Sequence, residues 1–104
     1  MAYNGWTNYE TWCGHLWLTN EEGTYNHCCE LARQATAEAA DCEQVRRRVW
    51  TVEEAKKFTL ADQLKEFIQQ MSPLADGASM FTDLLNAALS EVDWHEIAAA
   101  FLED

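Results

Sequence analysis

Apolar residues recur at helical spacing along most of the chain, and nowhere do they alternate as those of a half-buried strand would. Tyr9, Trp12, Cys13, Leu16 and Trp17 fall on one helical face. Thr7 and Glu10 ahead of them read as a T-x-x-E capping box, and Trp6 stands where a hydrophobic staple residue belongs. Asn4-Gly5 is a turn signal. The expectation is a capped helix with large anchors, in which Trp6, Tyr9 and Trp12 are mostly core and one of them is left over as an exposed anchor.

Thr19-Asn20 closes this helix and offers a cap for the next, whose first turn holds Glu21 and Glu22, where acids suit the helix dipole. The second helix is expected from 21 to 40, with Tyr25, Cys28, Cys29, Ala32, Ala35 and Ala39 inward. Either Asp41 caps a fresh short helix over 42–49, or the second helix runs on through Cys42 and Val45. Arg46, Arg47 and Arg48 lie near a helix C-terminus in both cases. Thr51 and Glu54 repeat the capping box before Ala55, Phe58, Ala61 or Asp62, Leu64, Phe67, Ile68 and Met71. Ser72-Pro73 stops that helix, and Asp76-Gly77 is a turn. Ser79 caps a helix carrying Phe81, Leu84, Leu85, Ala88 and Leu89. Asp93 with Glu96 caps a last one carrying Trp94, Ile97, Ala98, Phe101 and Leu102. With no internal repeat and no dividing linker, the chain reads as a single all-α domain over 1–104, a bundle of about five short helices.

Hydrophobic content of 48% fits a globular chain. The formal net charge is −11, unevenly placed. Residues 1–32 carry Glu10, Glu21, Glu22 and Glu30 and no base, and all seven Lys and Arg lie between Arg33 and Lys65. Residues 66–104 carry eight acids and no base. Such a chain repels nucleic acid and anionic membrane and favours basic surfaces, including those of proteins that hold nucleic acid. The plainer account is that the acid keeps a small protein soluble. The N-terminus lacks a charged region followed by an apolar run, and no stretch approaches the ~20 apolar residues of a membrane span. A cytoplasmic location with reduced cysteines is expected.

Little in the chain points to chemistry. Cys13, Cys28, Cys29 and Cys42, with His15, His27 and His95, lack the paired spacing of a structural zinc site. A Cys28–His15 nucleophile pair is conceivable, but no spacing demands it. There is no Gly-rich phosphate loop and no G-x-S-x-G. No catalytic residue, metal or cofactor is therefore expected. Arg46-Arg47-Arg48 is a weak nucleic-acid footprint in so acidic a chain, and Trp50 beside it reads as core. The candidate partner-binding residues are Asp76, Asp83, Glu91, Asp93, Glu96, Glu103 and Asp104, since acids spaced along helix surfaces imitate a track of phosphates.

The stretch "NGWTNYETWCGHLWLTNEEGTY", residues 4–25, resembles a family of small phage, prophage and plasmid proteins that open N-G-W-x-N-Y/W-E-T-W and continue L-W-L/I-x-N-[DE]-E. "SEVDWHEIAAAFLED", residues 90–104, is similar to that family's closing D/N-W-x-E-I-A segment. The two stretches make up about a third of the chain. Where Cys13 stands the family usually has Asn or another residue, so no shared role attaches to it. The resemblance implies a mobile-element context. Combined with the acid, it suggests an inhibitor of host defence, of anti-CRISPR or anti-restriction type. Such a protein would bind a basic nucleic-acid-handling effector through a DNA-mimicking helical surface. The alternative is an accessory protein that works through an apolar protein interface, its acid serving only solubility.

Overall fold

A computed structural model describes residues 3–72 and 79–103. Six α-helices follow in order: α1 (Tyr9–Asn20), α2 (Glu22–Glu38), α3 (Glu43–Arg46), α4 (Val52–Met71), α5 (Met80–Ser90) and α6 (Trp94–Leu102). Five of them run nine residues or longer, and α3 is a four-residue turn. The protein is all-α, and among the described residues the nearest approach to a sheet is a single bridge between Tyr3 and Trp6. That bridge closes a tight hairpin. Asn4 (φ 49°) and Gly5 (φ 89°) are both left-handed, as a type I′ turn demands, and Asn-Gly adopts this pair at least strain. Tyr3 and Trp6 exchange backbone hydrogen bonds of 2.6 and 2.8 Å across it.

Most of the helix starts follow from their caps. The Thr51–Glu54 box forms in full: the Thr51 N–H donates to Glu54 Oε1 at 3.0 Å and the Glu54 N–H to Thr51 Oγ1 at 3.1 Å. Ser79 accepts from the Thr82 N–H at 3.1 Å, and Asp93 from the Glu96 N–H at 3.1 Å. The box expected at Thr7–Glu10 does not form. Asn8 is the N-cap of α1, its Oδ1 accepting from the Thr11 N–H at 2.9 Å. Asx and hydroxyl caps compete on nearly equal terms, and the Thr7 N–H that a box would have given to Glu10 donates to Glu96 Oε1 at 3.0 Å instead. Nor does Asn20 cap α2. It ends α1, and Glu21 alone joins the two helices, without a side-chain cap. Thr24 Oγ1 instead donates to the carbonyls of Leu18 and Glu21, at 3.0 and 3.1 Å.

Beyond α2 the backbone tightens into a 3₁₀ turn, Ala39–Asp41, and Cys42 rather than Asp41 precedes the short α3. Arg48 (φ 61°) ends α3 in the left-handed region. The Val49 N–H reaches the Gln44 carbonyl at 2.8 Å and the Arg48 N–H the Val45 carbonyl at 3.0 Å, a Schellman closure. α4 stops at Met71, just before Ser72-Pro73. The turn expected at Asp76-Gly77 lies outside the described residues.

α4 is the spine of the bundle, with α2 and α6 packed along it and α1 laid against α2 and α6. The core joins Leu18, Cys28, Ala32, Ala35, Leu60, Ala61, Leu64, Ile97, Ala98 and Phe101. Small residues on α2 let its backbone approach α4 closely, and Leu60 and Leu64 fill the space between. Truncating either leucine to alanine should cost about 2–5 kcal/mol. α5 stands apart. It packs on no other helix as extensively as the rest pack on one another, and Thr82 is its one buried residue.

Candidate interaction surface

α1 faces the opposite way from the direction its hydrophobic pattern suggests. Its buried residues are Thr11 and Leu18, and with Gly14 and His15 they form the face toward α6 and the core. Tyr9, Trp12, Cys13, Leu16 and Trp17 lie about 180° around the helix, at roughly 100° per residue. The expected inward stripe is thus the outer one: Tyr9 is 52% and Trp17 63% exposed, while Trp12, Cys13 and Leu16 are half-buried. The reason lies in the distance between helices. A Cβ on Gly14 would sit 3.5 Å from Ile97 Cδ1, so this crossing has room for Gly, Thr and His but not for a row of Trp. Of Trp6, Tyr9 and Trp12, expected mostly in the core with one left over as an exposed anchor, Trp6 and Trp12 are half-buried and Tyr9 is on the surface.

Trp6 covers the core from the hairpin, its ring 4.5 Å from that of His15, which in turn lies 5.6 Å from Phe101. On the outer side Tyr3, Tyr9 and Trp12 pack against one another edge-on or tilted, at centroid distances of 5.0–5.6 Å. A second exposed apolar face belongs to α5, where Met80, Phe81 and Leu84 are 66%, 64% and 61% exposed.

The polar residues of the two terminal stretches meet in a clasp. Thr11 Oγ1 accepts from the Asp93 N–H at 2.8 Å and donates to Asn8 Oδ1 at 2.6 Å. Asn8 Nδ2 donates to the Glu91 carbonyl at 2.6 Å, and Glu96 receives the Thr7 N–H. The clasp divides the candidate acids. Asp93 and Glu96 are half-buried and held by these bonds. Asp83 in the first turn of α5, Glu91 after its end and Glu103 after the end of α6 have exposed side chains. Asp76 and Asp104 lie outside the described residues. Ion pairs among the described residues join Arg33 to Glu30, Arg47 to Glu43 and Lys56 to Glu53, all on α2–α4. The acids of α5 and α6 have no such partner among the described residues.

Cys28 is fully buried, and burial, with Cys29 beside it, pushes its thiol up to about 11. A nucleophilic thiol needs the opposite shift. Tyr9 is raised by its neighbour Cys13, one turn on. No group of three or more His, Cys, Asp or Glu among the described residues is placed to hold a metal ion, and none of the helices is long and apolar enough to cross a membrane. An open groove of about 600 Å³ runs between α2 and α6, lined by Tyr25, Cys29, Ala32, Arg33 and Phe101. Its one cation, Arg33, is bound to Glu30. Arg46 and Arg48 are exposed near the end of α3, and Trp50, expected in the core, is half-buried outside it and packs edge-on against Phe58 at 5.1 Å.

Exposure of Tyr9 and Trp17 was the feature hardest to find from sequence. The available signal was Gly14 in mid-helix opposite the aromatics, since a glycine there marks close backbone approach. No curated protein and no solved structure matches the chain. One family model spans nearly all of it, from the hairpin through both halves of the clasp to Phe101, and the chain belongs to that family, a family of unknown function (DUF7249) matched over residues 1–101.

Proposed function

We propose that the protein is a binding protein of a mobile genetic element that inhibits host defence, of anti-CRISPR or anti-restriction type. It occupies a basic channel of a nucleic-acid-handling effector in the host cytoplasm. The observation that carries this reading is the exposed acid of α5 and α6: Asp83, Glu91 and Glu103 are exposed and form no ion pair among the described residues, and no Lys or Arg follows Lys65 in the sequence, although Lys57 of α4 lines the same groove as Glu103. A surface with acid in excess steers association with cationic surfaces and repels nucleic acid itself. Asp93 and Glu96 contribute to the field but are held by the clasp, so the contact falls to the three exposed acids and to any contribution from Asp76 and Asp104. Under this reading no catalytic group or cofactor takes part.

The test combines Asp83→Lys, Glu91→Lys and Glu103→Lys in one variant, which leaves every bond of the clasp in place because Glu91 contributes only its carbonyl. Cells carrying a panel of defence systems and expressing the wild-type protein should lose protection against phage in at least one system, and the variant should restore it. The effector should be recovered from lysate at low salt and lost at high salt. Unchanged inhibition by the variant sinks the reading. The exposed apolar faces of α1 and α5 favour a second reading, an accessory protein that assembles through an apolar interface. Salt-insensitive recovery of a partner would select it.

A further inference from the structure

The outer face of α1 is built of two adjacent ridges, Tyr9–Cys13–Trp17 and Trp12–Leu16, each spaced four residues apart. Tyr3 extends it from the hairpin, edge-on to Tyr9 and tilted against Trp12. The inner face of α1, with Thr11 and Leu18, is buried in the bundle, whereas Tyr9 and Trp17 on the outer face are left exposed. The Tyr3, Tyr9 and Trp12 rings touch one another, with centroids no more than 5.6 Å apart, so no ligand fits between these three, and Trp17 projects two turns on from Tyr9. The cluster is a solid knob rather than a cage. It suits insertion into a pocket of another protein, and Tyr and Trp are the residue types that most often anchor such contacts.

The charge around the knob selects its partner. Glu10 lies at one end of the stripe and Glu21 and Glu22 at the other, and no Lys or Arg occurs before Arg33. The bond from Asn8 Nδ2 to the Glu91 carbonyl sets the end of α5 beside the start of α1, which adds another acid to the rim. In a two-fold dimer through this face the patch would meet itself, acid against acid. We infer that the aromatic face of α1 docks on a protein surface with an apolar pocket rimmed by Lys and Arg, taking Tyr9 and Trp17 as its anchors. The inference rests on the reading of this chain as a binding protein and adds an apolar anchor to its acidic contact. Charge governs the rate of encounter, and the buried rings govern the rate of release.

A defined probe tests this: a synthetic amphipathic helical peptide of Leu and Lys, with its Leu and Glu counterpart as control. The full chain is compared with Tyr9→Ser/Trp17→Ser and with Phe81→Ser/Leu84→Ser on α5, after circular dichroism shows that all three fold alike. The Leu/Lys peptide should bind the wild type. Tyr9→Ser/Trp17→Ser should weaken it at least tenfold, mainly by faster dissociation, and Phe81→Ser/Leu84→Ser less than twofold. The Leu/Glu peptide should not bind. Equal affinity for wild type and Tyr9→Ser/Trp17→Ser overturns the inference and leaves the acidic reading standing. If Tyr9→Ser/Trp17→Ser abolishes peptide binding while the triple charge reversal leaves inhibition of host defence unchanged, the acidic reading fails and the aromatic anchor survives. Two further outcomes overturn the assignment: a wild-type dimer that Tyr9→Ser/Trp17→Ser converts to monomer, and binding to zwitterionic lipid vesicles that the same changes abolish.

Discussion

Thr11 Oγ1 accepts the Asp93 N–H at 2.8 Å, across 82 residues of chain, and ties the start of α1 to the start of α6. One hydroxyl thereby joins two helix caps, because it also donates to the N-cap Asn8. Thr11 is fully buried and sits on the core face that α1 presents. The opening segment thereby helps to hold the start of α6 against the bundle.

Thr11→Val keeps the shape and removes the acceptor, leaving the Asp93 N–H unpaired in a part-buried site. The loss should be about 1–3 kcal/mol, a fall in melting temperature of roughly 4–8 °C per kcal/mol for a domain of this size. Thr11→Ser keeps the hydroxyl and should lose less. Thermal unfolding of both variants decides it. If valine is as stable as threonine, the clasp contributes nothing.

Gly14→Ala should stabilise the protein. The added methyl lies in ordinary contact with Ile97 Cδ1 at 3.5 Å, and glycine in a helix interior costs roughly 0.5–1 kcal/mol relative to alanine. Gly14→Leu should destabilise it, since the crossing has no room for a long side chain. Urea midpoints of the two variants should move in opposite directions.

Arg48 holds a left-handed backbone (φ 61°) that non-glycine residues adopt at a cost of roughly 1–2 kcal/mol. Arg48→Gly should raise stability by about 0.5–1 kcal/mol after the added freedom of the unfolded chain is deducted. A denaturant titration that shows a loss would mean that the arginine side chain outweighs the relief.

The Cys28 thiol, raised from 9.0 to about 11 by burial and then by Cys29, makes stability depend on alkaline pH. The folded protein holds this proton more tightly than the unfolded chain. Its contribution is complete below pH 9 and is lost as pH rises from 9 toward 11. At 1.36 kcal/mol per unit the full loss is about 3 kcal/mol. Cys28→Ala should be less stable at neutral pH, from the smaller core side chain, and its stability should fall less steeply from pH 9 to 11. Parallel slopes for the two proteins would show that Cys28 ionises without unfolding anything.

The all-α architecture could be read from the sequence because helix starts are local. A hydroxyl or carboxylate three residues ahead of its N–H acts within one turn, so Thr51–Glu54, Ser79 and Asp93 announce their helices without help from the rest of the chain. Pro73 stops α4 by the same short-range means, and the inward stripe of α2 is legible because its small residues have no larger rivals on the opposite face. The orientation of α1 was not legible. Its most apolar face is the aromatic one, and only the approach of Ile97 to Gly14 excludes that face from the core. Thr7 offered as good a local cap as Asn8, and the N–H that its box needed for Glu10 is bonded to Glu96, 89 residues away. The acids divide on the same principle. Composition alone determined that the chain is acidic and that its last third lacks a base, whereas tertiary structure decided that Asp93 and Glu96 serve the clasp while Asp83, Glu91 and Glu103 face solvent. Short-range geometry is written in neighbouring residues; which side of a helix is buried depends on the space its distant neighbours leave.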